Sequence, residues 1–576
     1  MYPKQAANTA TTAFQRLAGS TGILFFGMVG VFAIWYLVTD YRTLADWFLS
    51  LSDCFYKRSE WTTDFFTPTV KRAGNYYAGA GLLLSVAGVA GTARVWRYDR
   101  LQLPGIGRRI TVRALLWCAA VAVVAIAAAF ASWHRLLPAS DEVFSVVKCT
   151  EMPPFITLAY YLLPNNHIYY NLANHLLFGW VGDYVVSGRV MSVAAYVGVA
   201  LCVFYLFYRL TGQRWISFVA MLPVVLGVYT LGFAVQARGY ELQLLCGWVA
   251  FIALHFYNGQ PSFRLLTVSV AANIAGFLLI PGYLYYYLAQ LLCQGILMVA
   301  ARRADVGYIK AQAVTAATVF MFYLPALCFS GVQAFTNNGW VAPSTEGLAT
   351  FLPRFADTVL SFISDCLGGI GGHRHPANYV VFLLPYTLLI TGKAAHRRLV
   401  LYYTSIWVAF VLYTMIIKRI PFHRVLIIQF SITGFVCVYA LVVIAQRLVQ
   451  TLRSKVLKGV MYVGVLLLPV GAYTGFLINF HQRYLAATLY SYDINAVHTA
   501  QIAALRQIPP GSSVAFSEDA FYYYYYCRLQ GYNVSRCADG SATYLIKIKD
   551  RPFPAGAGTG YTYWADASND YGIYKK

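Results

Sequence analysis

Thirteen apolar runs of roughly bilayer length recur along this chain, at about 23–38, 77–93, 114–133, 190–208, 217–235, 240–256, 265–280, 283–300, 311–330, 376–391, 399–417, 425–446 and 459–479. A helix needs roughly 20 apolar residues to cross a bilayer, and it crosses only if its backbone polar groups are satisfied internally. The repetition excludes a single water-soluble core. It predicts a polytopic α-helical membrane protein with about 13 transmembrane helices. Composition agrees: charged residues are 11% of 576, against about 25% in a soluble domain. Tyr and Trp gather at run ends, as in interfacial belts.

The formal net charge of +22 reflects basic linkers between runs rather than a nucleic-acid surface. Linkers holding Arg108 and Arg109, Arg209 and Arg214, Arg302 and Arg303, or Arg397 and Arg398 read as cytoplasmic. The alternation puts the N-terminus inside and the C-terminus outside. In a bacterial host this means the inner (cytoplasmic) membrane, with the C-terminus in the periplasm. The first run reads as a retained helix, because Thr39-Asp40-Tyr41-Arg42 follows it rather than a cleavage site. Pro281-Gly282 interrupts the apolar pattern and reads as a broken or re-entrant element.

Three regions follow. Residues 1–109 carry two N-terminal spans and 110–480 a transmembrane module with long outer loops at 138–188 and 331–375. Residues 481–576 change character: alternation at Ser512–Phe516 and Thr543–Lys549 predicts strands of a small extramembrane α/β domain. Cys527 and Cys537 lie in that domain and could pair on an oxidising face, although spacing does not establish it. The run Tyr522–Tyr526 reads equally as domain core or as a membrane-facing or sugar-stacking surface.

Candidate chemistry gathers on the outer side. Asp141 and Glu142 follow the third run by a few residues. They are either a solvated helix end or a catalytic pair, Asp141 as general base and Glu142 orienting an acceptor or binding a metal. His167, in Asn165-Asn166-His167-Ile168-Tyr169-Tyr170, could meet a phosphate or a divalent ion such as Mg or Mn. Arg238 sits at an outer junction of two runs, where a charge is costly unless paired or hydrated. Glu241 could pair with it structurally, or its guanidinium could bind a lipid phosphate. Arg189, Tyr240, His423 and Arg424 are further candidates for the donor phosphate or its lipid; Asn166, Tyr170, His373 and His375 complete the set. Gly368–Gly372 lacks the strand-to-helix context of a nucleotide loop, so the pattern favours a donor already activated on a lipid phosphate.

Four segments carry a family resemblance: Ser140-Asp141-Glu142-Val143, Asn166-His167-Ile168-Tyr169-Tyr170, Arg189-Val190-Met191-Ser192 and Gln236-Ala237-Arg238-Gly239-Tyr240-Glu241-Leu242. Through them the chain resembles the GT-C integral-membrane glycosyltransferases that use polyprenyl-phosphate sugars, and most closely the rhizobial lipopolysaccharide core galacturonosyltransferases. It is also similar to aminoarabinose and protein mannosyl transferases. The resemblance implies inverting transfer of a sugar to a periplasmic lipid, glycan or protein acceptor, with Asp141 as base and Arg238 near the donor phosphate. The chain is expected to act as a monomer. Ile168 and Tyr169 stand where the family has two prolines. The alternatives are a lipid or glycolipid transporter or flippase, favoured by the Pro281-Gly282 break, and a non-enzymatic envelope assembly protein, favoured by the tyrosine-rich tail.

Overall fold

Apolar runs become membrane helices only where they stay straight and unbroken, and several runs here do not. The computed structural model describes the chain except residues 1–2, 52–65, 98–110, 134–137, 139, 162–164, 337–342, 367–375, most of 452–493, 518–519, 537–539, 555–556 and 558–559. Among the described residues seven helices are long and apolar enough to cross a membrane, at Gly19–Val38, Pro68–Ala93, Val112–Trp133, Tyr184–Thr211, Pro281–Ala300, Ala394–Ile417 and His423–Thr451. An eighth arises if Val306–Phe322 and Leu324–Ser330, bent by 50° at their junction, count as one span. The expectation of about 13 is therefore corrected to seven or eight.

The reasons are local. The run at 217–235 breaks into Arg214–Val225 and Val228–Ala234 around Leu226-Gly227. The run at 376–391 is a short helix, Pro376–Leu383, followed by a 3₁₀ stretch from Leu384 to Thr391 that contains Pro385. Phe263–Leu279 is apolar but only 17 residues long. The run at 240–256 forms the helix Tyr240–Tyr257, which buries Glu241, Gln243 and His255 among its apolar residues. The run at 459–479 falls largely outside the described residues.

A large apolar core joins the Tyr184–Thr211, Tyr240–Tyr257, Ala394–Ile417 and Ile427–Thr451 helices, with Tyr196, Trp248, Tyr402 and Phe435 buried in it. Close approach needs glycine here: a Cβ on Gly247 would meet Ile428 Cγ2 at 2.7 Å. The two N-terminal spans form a separate aromatic cluster, where Tyr36, Phe48, Phe66 and Phe329 pack together and Tyr36 Oη donates to the Cys328 carbonyl at 2.7 Å.

The C-terminal domain is a five-stranded sheet: β1 (Ser513–Phe516), β2 (Asn533–Ser535), β3 (Tyr544–Ile548), β4 (Thr562–Asp566) and β5 (Tyr571–Lys575), in the order β2-β1-β3-β5-β4. β1 runs parallel to β2 and β3, and β5 antiparallel to β3 and β4. The helix Phe521–Leu529 is the crossover between β1 and β2 that parallel pairing demands. It carries the tyrosine run, and Tyr523–Tyr526 are buried. Their core is shared with Val143, Val146 and Val147, so the domain packs against the segment that bears Asp141. Cys537, the partner considered for Cys527, lies outside the described residues. The chain is a polytopic α-helical membrane protein with a small C-terminal extramembrane domain.

Candidate active site

Three segments meet beyond the end of the Val112–Trp133 helix: the short helix Ser140–Ser145, the turn at 165–167, and the non-helical link Gln236–Gly239. Consecutive helical side chains diverge by about 100°. Asp141 and Glu142 therefore face different partners, and the fold supplies cations to both.

Glu142 and Arg189 form a closed pair. Arg189 Nε and Nη2 donate to the two carboxylate oxygens at 3.0 and 3.1 Å, the two-pronged geometry a guanidinium fits best. Ala237 N–H donates to Oε1 at 2.6 Å. Glu142 is 1% exposed and Arg189 3%. Gly188 lets the Tyr184–Thr211 helix come this close, since a Cβ there would meet Ala237 Cβ at 2.7 Å and Tyr170 Oη at 2.8 Å. Tyr170 Oη donates to the Gly188 carbonyl at 2.7 Å and holds the same contact.

Asp141 sits in the more open half. Its Oδ1 accepts from Asn165 Nδ2 at 3.0 Å, and its Oδ2 accepts from Arg424 Nη1 at 2.8 Å. Arg238 Nη1 lies 3.3 Å from the same Oδ2, close enough for an ion pair but not aligned as a hydrogen bond. The Arg238 side chain is 1% exposed, and its buried Nε and Nη1 have no hydrogen-bond partner. Its Nη2 donates to Asn165 Oδ1 at 3.2 Å, and its Cζ stands 5.4 Å from the Tyr240 ring. The backbone around Arg238 is fixed: Ser192 Oγ donates to the Gln236 carbonyl at 2.7 Å, and Glu142 holds Ala237.

His167 completes the group. Gly239 N–H donates to Nδ1 at 3.0 Å, and Nε2 lies 3.3 Å from Arg238 Nη2. Burial first, and then the charges of Arg238 and Arg424, hold this imidazole well below its usual range, so it is neutral. A neutral ring has one acceptor nitrogen. If Nδ1 serves Gly239, then Nε2 carries the proton and two donors face each other. One N–H at this spot has no protein acceptor to point at.

Beside these groups opens a cavity of about 250 Å³. Asn165, Tyr240 and Arg424 form one side of it, with Arg419, Tyr285 and Tyr413 among its other walls. Among the described residues that line it there is no carboxylate. Arg419 follows a left-handed turn at Lys418 (φ 48°) that ends the Ala394–Ile417 helix and directs the chain across the cavity.

The structure thus brings Asp141, His167, Arg238, Tyr240 and Arg424 together, with Glu142 and Arg189 immediately behind. It places Asn166 differently: its Nδ2 holds the carbonyls of Thr157 and Tyr160 at 2.9 and 2.8 Å. His423 lies edge-on to Phe362 at 4.4 Å. His373 and His375 lie outside the described residues. Glu241 does not pair with Arg238; both its oxygens are buried without a hydrogen-bond partner. Asn165 is not singled out by the sequence, although it stands within the quoted Asn-Asn-His run. Arg419 belongs to the short outer segment Lys418–Arg424, whose basic residues run against the positive-inside pattern and so read as cations facing something anionic such as a phosphate. Among the described residues no group of three or more His, Cys, Asp or Glu side chains could hold a metal ion. The donor chemistry also fits a divalent ion poorly, because guanidiniums occupy the faces of both carboxylates.

No family model matches the sequence, and no curated protein matches it. In three dimensions the similarities to solved structures are distant. The chain is similar to ArnT from Cupriavidus metallidurans bound to undecaprenyl phosphate, at 12% identity and TM-score 0.47, over 80% of this chain and 98% of that one. The apo state of the same protein gives 13% and 0.48 over the same shares. The arabinosyltransferase EmbB from Mycobacterium smegmatis gives 14% and 0.40, over 85% of this chain and 49% of that one. At these identities and TM-scores the similarities do not single out the rhizobial branch and say nothing of substrate.

Proposed function

We propose that the protein is a membrane glycosyltransferase that moves a sugar from a polyprenyl-phosphate donor to a lipid, glycan or protein acceptor. One observation carries the reading: a fully buried guanidinium, Arg238, leaves Nε and Nη1 without a hydrogen-bond partner, with Nη1 3.3 Å from the Asp141 carboxylate, beside a cavity with a cationic rim. Burying such a group costs several kcal/mol unless something anionic satisfies it. A phosphate monoester or diester offers the acceptors that Arg238 Nε and Nη1 and His167 Nε2–H lack.

Asp141 holds the guanidiniums of Arg238 and Arg424. A donor phosphate takes them over and leaves the carboxylate free to accept a proton. The acceptor hydroxyl then attacks the anomeric carbon as its proton passes to Asp141. The bond from that carbon to the phosphate oxygen breaks, and the polyprenyl phosphate leaves with the bonding electrons. Attack opposite the leaving group inverts the anomeric centre. Glu142 and Arg189 take no part in the chemistry and fix the helix and link that present Asp141 and Arg238. The aromatic walls at Tyr240, Tyr285 and Tyr413 suit a sugar face or a prenyl chain.

The test is the full chain in lipid nanodiscs, given a polyprenyl-phosphate sugar labelled in the sugar and a glycolipid extract as acceptor. Labelled product and free polyprenyl phosphate should appear together, and neither should appear with Asp141→Asn. Movement of the intact donor across the bilayer with no released polyprenyl phosphate would overturn the reading in favour of a transporter.

A further inference from the structure

The segment that carries Asp141 is gripped from its other end by the C-terminal domain. Ser140–Ser145 runs on into a π-helical turn, Val146–Thr150, with Glu151 N–H donating to the Val146 carbonyl at 2.9 Å. A turn of this width is uncommon and occurs mostly as a single turn, often at functional sites. Glu151 follows it directly, and its side chain is 6% exposed.

Three side chains of the C-terminal domain close on that carboxylate. Arg528 Nη1 donates to Oε1 at 2.6 Å, Arg536 Nη1 to Oε2 at 2.6 Å, and Tyr524 Oη to Oε2 at 3.2 Å. Arg536 spends its other arm inside the wide turn, where Nη2 donates to the Val147 carbonyl at 2.8 Å. Burial holds the Glu151 carboxyl above its usual range, against the opposing pull of Arg528 and Arg536. Apolar contacts reinforce the grip: Val143, Val146 and Val147 share a core with Tyr523–Tyr526, and Phe144 meets Phe521 edge-on at 5.5 Å.

We propose that Glu151, clamped by Arg528 and Arg536, is a positioning residue for the transfer reaction: the C-terminal domain sets the place of Asp141 through the 140–151 segment. The inference rests on the transferase reading above. It makes the domain part of the catalytic unit rather than a separable binding module. Glu151 touches neither the cavity nor the cations beside Asp141. Its loss should therefore act on turnover and not on the donor phosphate. Misplacing a base by about 1 Å costs on the order of 100-fold in rate.

The experiment compares full-chain wild type, Glu151→Gln, Glu151→Asp and Arg536→Lys in nanodiscs. It measures turnover, donor KM, binding of polyprenyl phosphate and Tm. Glu151→Gln should lower kcat by about 10- to 100-fold with donor KM and polyprenyl-phosphate binding unchanged. Glu151→Asp should recover part of the loss, since it restores the charge but not the reach. Arg536→Lys should lower kcat less than Glu151→Gln, because an ammonium cannot hold Glu151 and the Val147 carbonyl in one fork. If Glu151→Gln fails to fold, Arg536→Lys carries the same test. Unchanged kcat in a folded variant overturns the positioning role, as does a loss that tracks donor affinity or the folded fraction. A wild type that transfers no sugar overturns the underlying reading instead.

Discussion

Asp141 and Glu142 are neighbours on one short helix, and both are paired with arginine, yet their surroundings differ in kind. Glu142 is sealed, 1% exposed, with Arg189 and Ala237 N–H filling its oxygens. Asp141 is 17% exposed and shared by two guanidiniums, of which Arg424 also lines the cavity. The same residue types thus make a fixed strut in one half and an exchangeable contact in the other. A buried ion pair by itself is weak evidence of function. What marks the Asp141 half is an opening and a surplus of unsatisfied donors.

The sharpest way to break the comparison is to neutralise each carboxylate in turn. Asp141→Asn keeps shape and removes the base, so turnover per folded molecule should fall by about 10²–10⁴-fold, with some loss of Tm because buried Arg238 loses its counter-ion. Glu142→Gln should act mainly on stability. It leaves Arg189 charged and buried, a loss of about 3–5 kcal/mol in stability, read as a lower Tm and yield. Turnover per folded molecule should fall far less than in Asp141→Asn. Replacing both members, Glu142→Leu with Arg189→Met, should restore part of that stability. Recovery stays incomplete because Ala237 N–H loses its acceptor. Equal effects on turnover from Asp141→Asn and Glu142→Gln would erase the distinction.

A smaller effect separates Arg238 from Arg424. Arg238→Lys keeps the charge but loses the fork that reaches Asn165 and faces His167. Binding of polyprenyl phosphate should weaken by about 1.5–3 kcal/mol, roughly 10- to 100-fold. Arg424, with 24% of its side chain exposed, is better solvated, and Arg424→Lys should cost less. The readout is lipid binding by mass analysis at several lipid concentrations. A larger loss for Arg424→Lys would place the phosphate nearer the cavity mouth than to Arg238.

The sequence made the open half legible and left the strut hidden. Arg238 stood out because a charge at the junction of two apolar runs demands a partner. Its partner did not stand out. Glu241, in the same segment, is the structural partner the sequence offers, but three-apart pairing holds within a helix. Residues 236–239 are not helical, and the next helix begins at Tyr240, so Glu241 turns into the core. The Glu142–Arg189 pair joins residues 47 positions apart, and only packing at Gly188 shows that they meet. Glu151 carries no signal of its own in the sequence, because only the fold brings Arg528 and Arg536 onto it. The span count failed for a related reason. Hydropathy registers apolar length, but not the bend at Tyr323 or the break at Leu226-Gly227.

The smallest effect concerns His167, which belongs to the open half by contact and to the sealed half by burial. Its imidazole is held well below the ordinary value of 6.5, by burial first and then by Arg238 and Arg424. The native ring therefore binds a proton more weakly than the unfolded one. Above about pH 6.5 neither state is protonated there and the native contacts are complete. As pH falls below that value the unfolded state takes up a proton that the native state refuses, and stability is lost. One such group contributes at most about 1.4 kcal/mol per pH unit. His167→Gln lacks this group, while the other histidines remain in both proteins and cancel. The fall in Tm between pH 7 and pH 5 should accordingly be shallower in His167→Gln than in wild type. With polyprenyl phosphate bound the two curves should converge, because an anion beside Nε2 makes the protonated ring easier to hold. Parallel curves without ligand would mean that His167 already titrates normally, and the donor-facing N–H assigned to it would be lost.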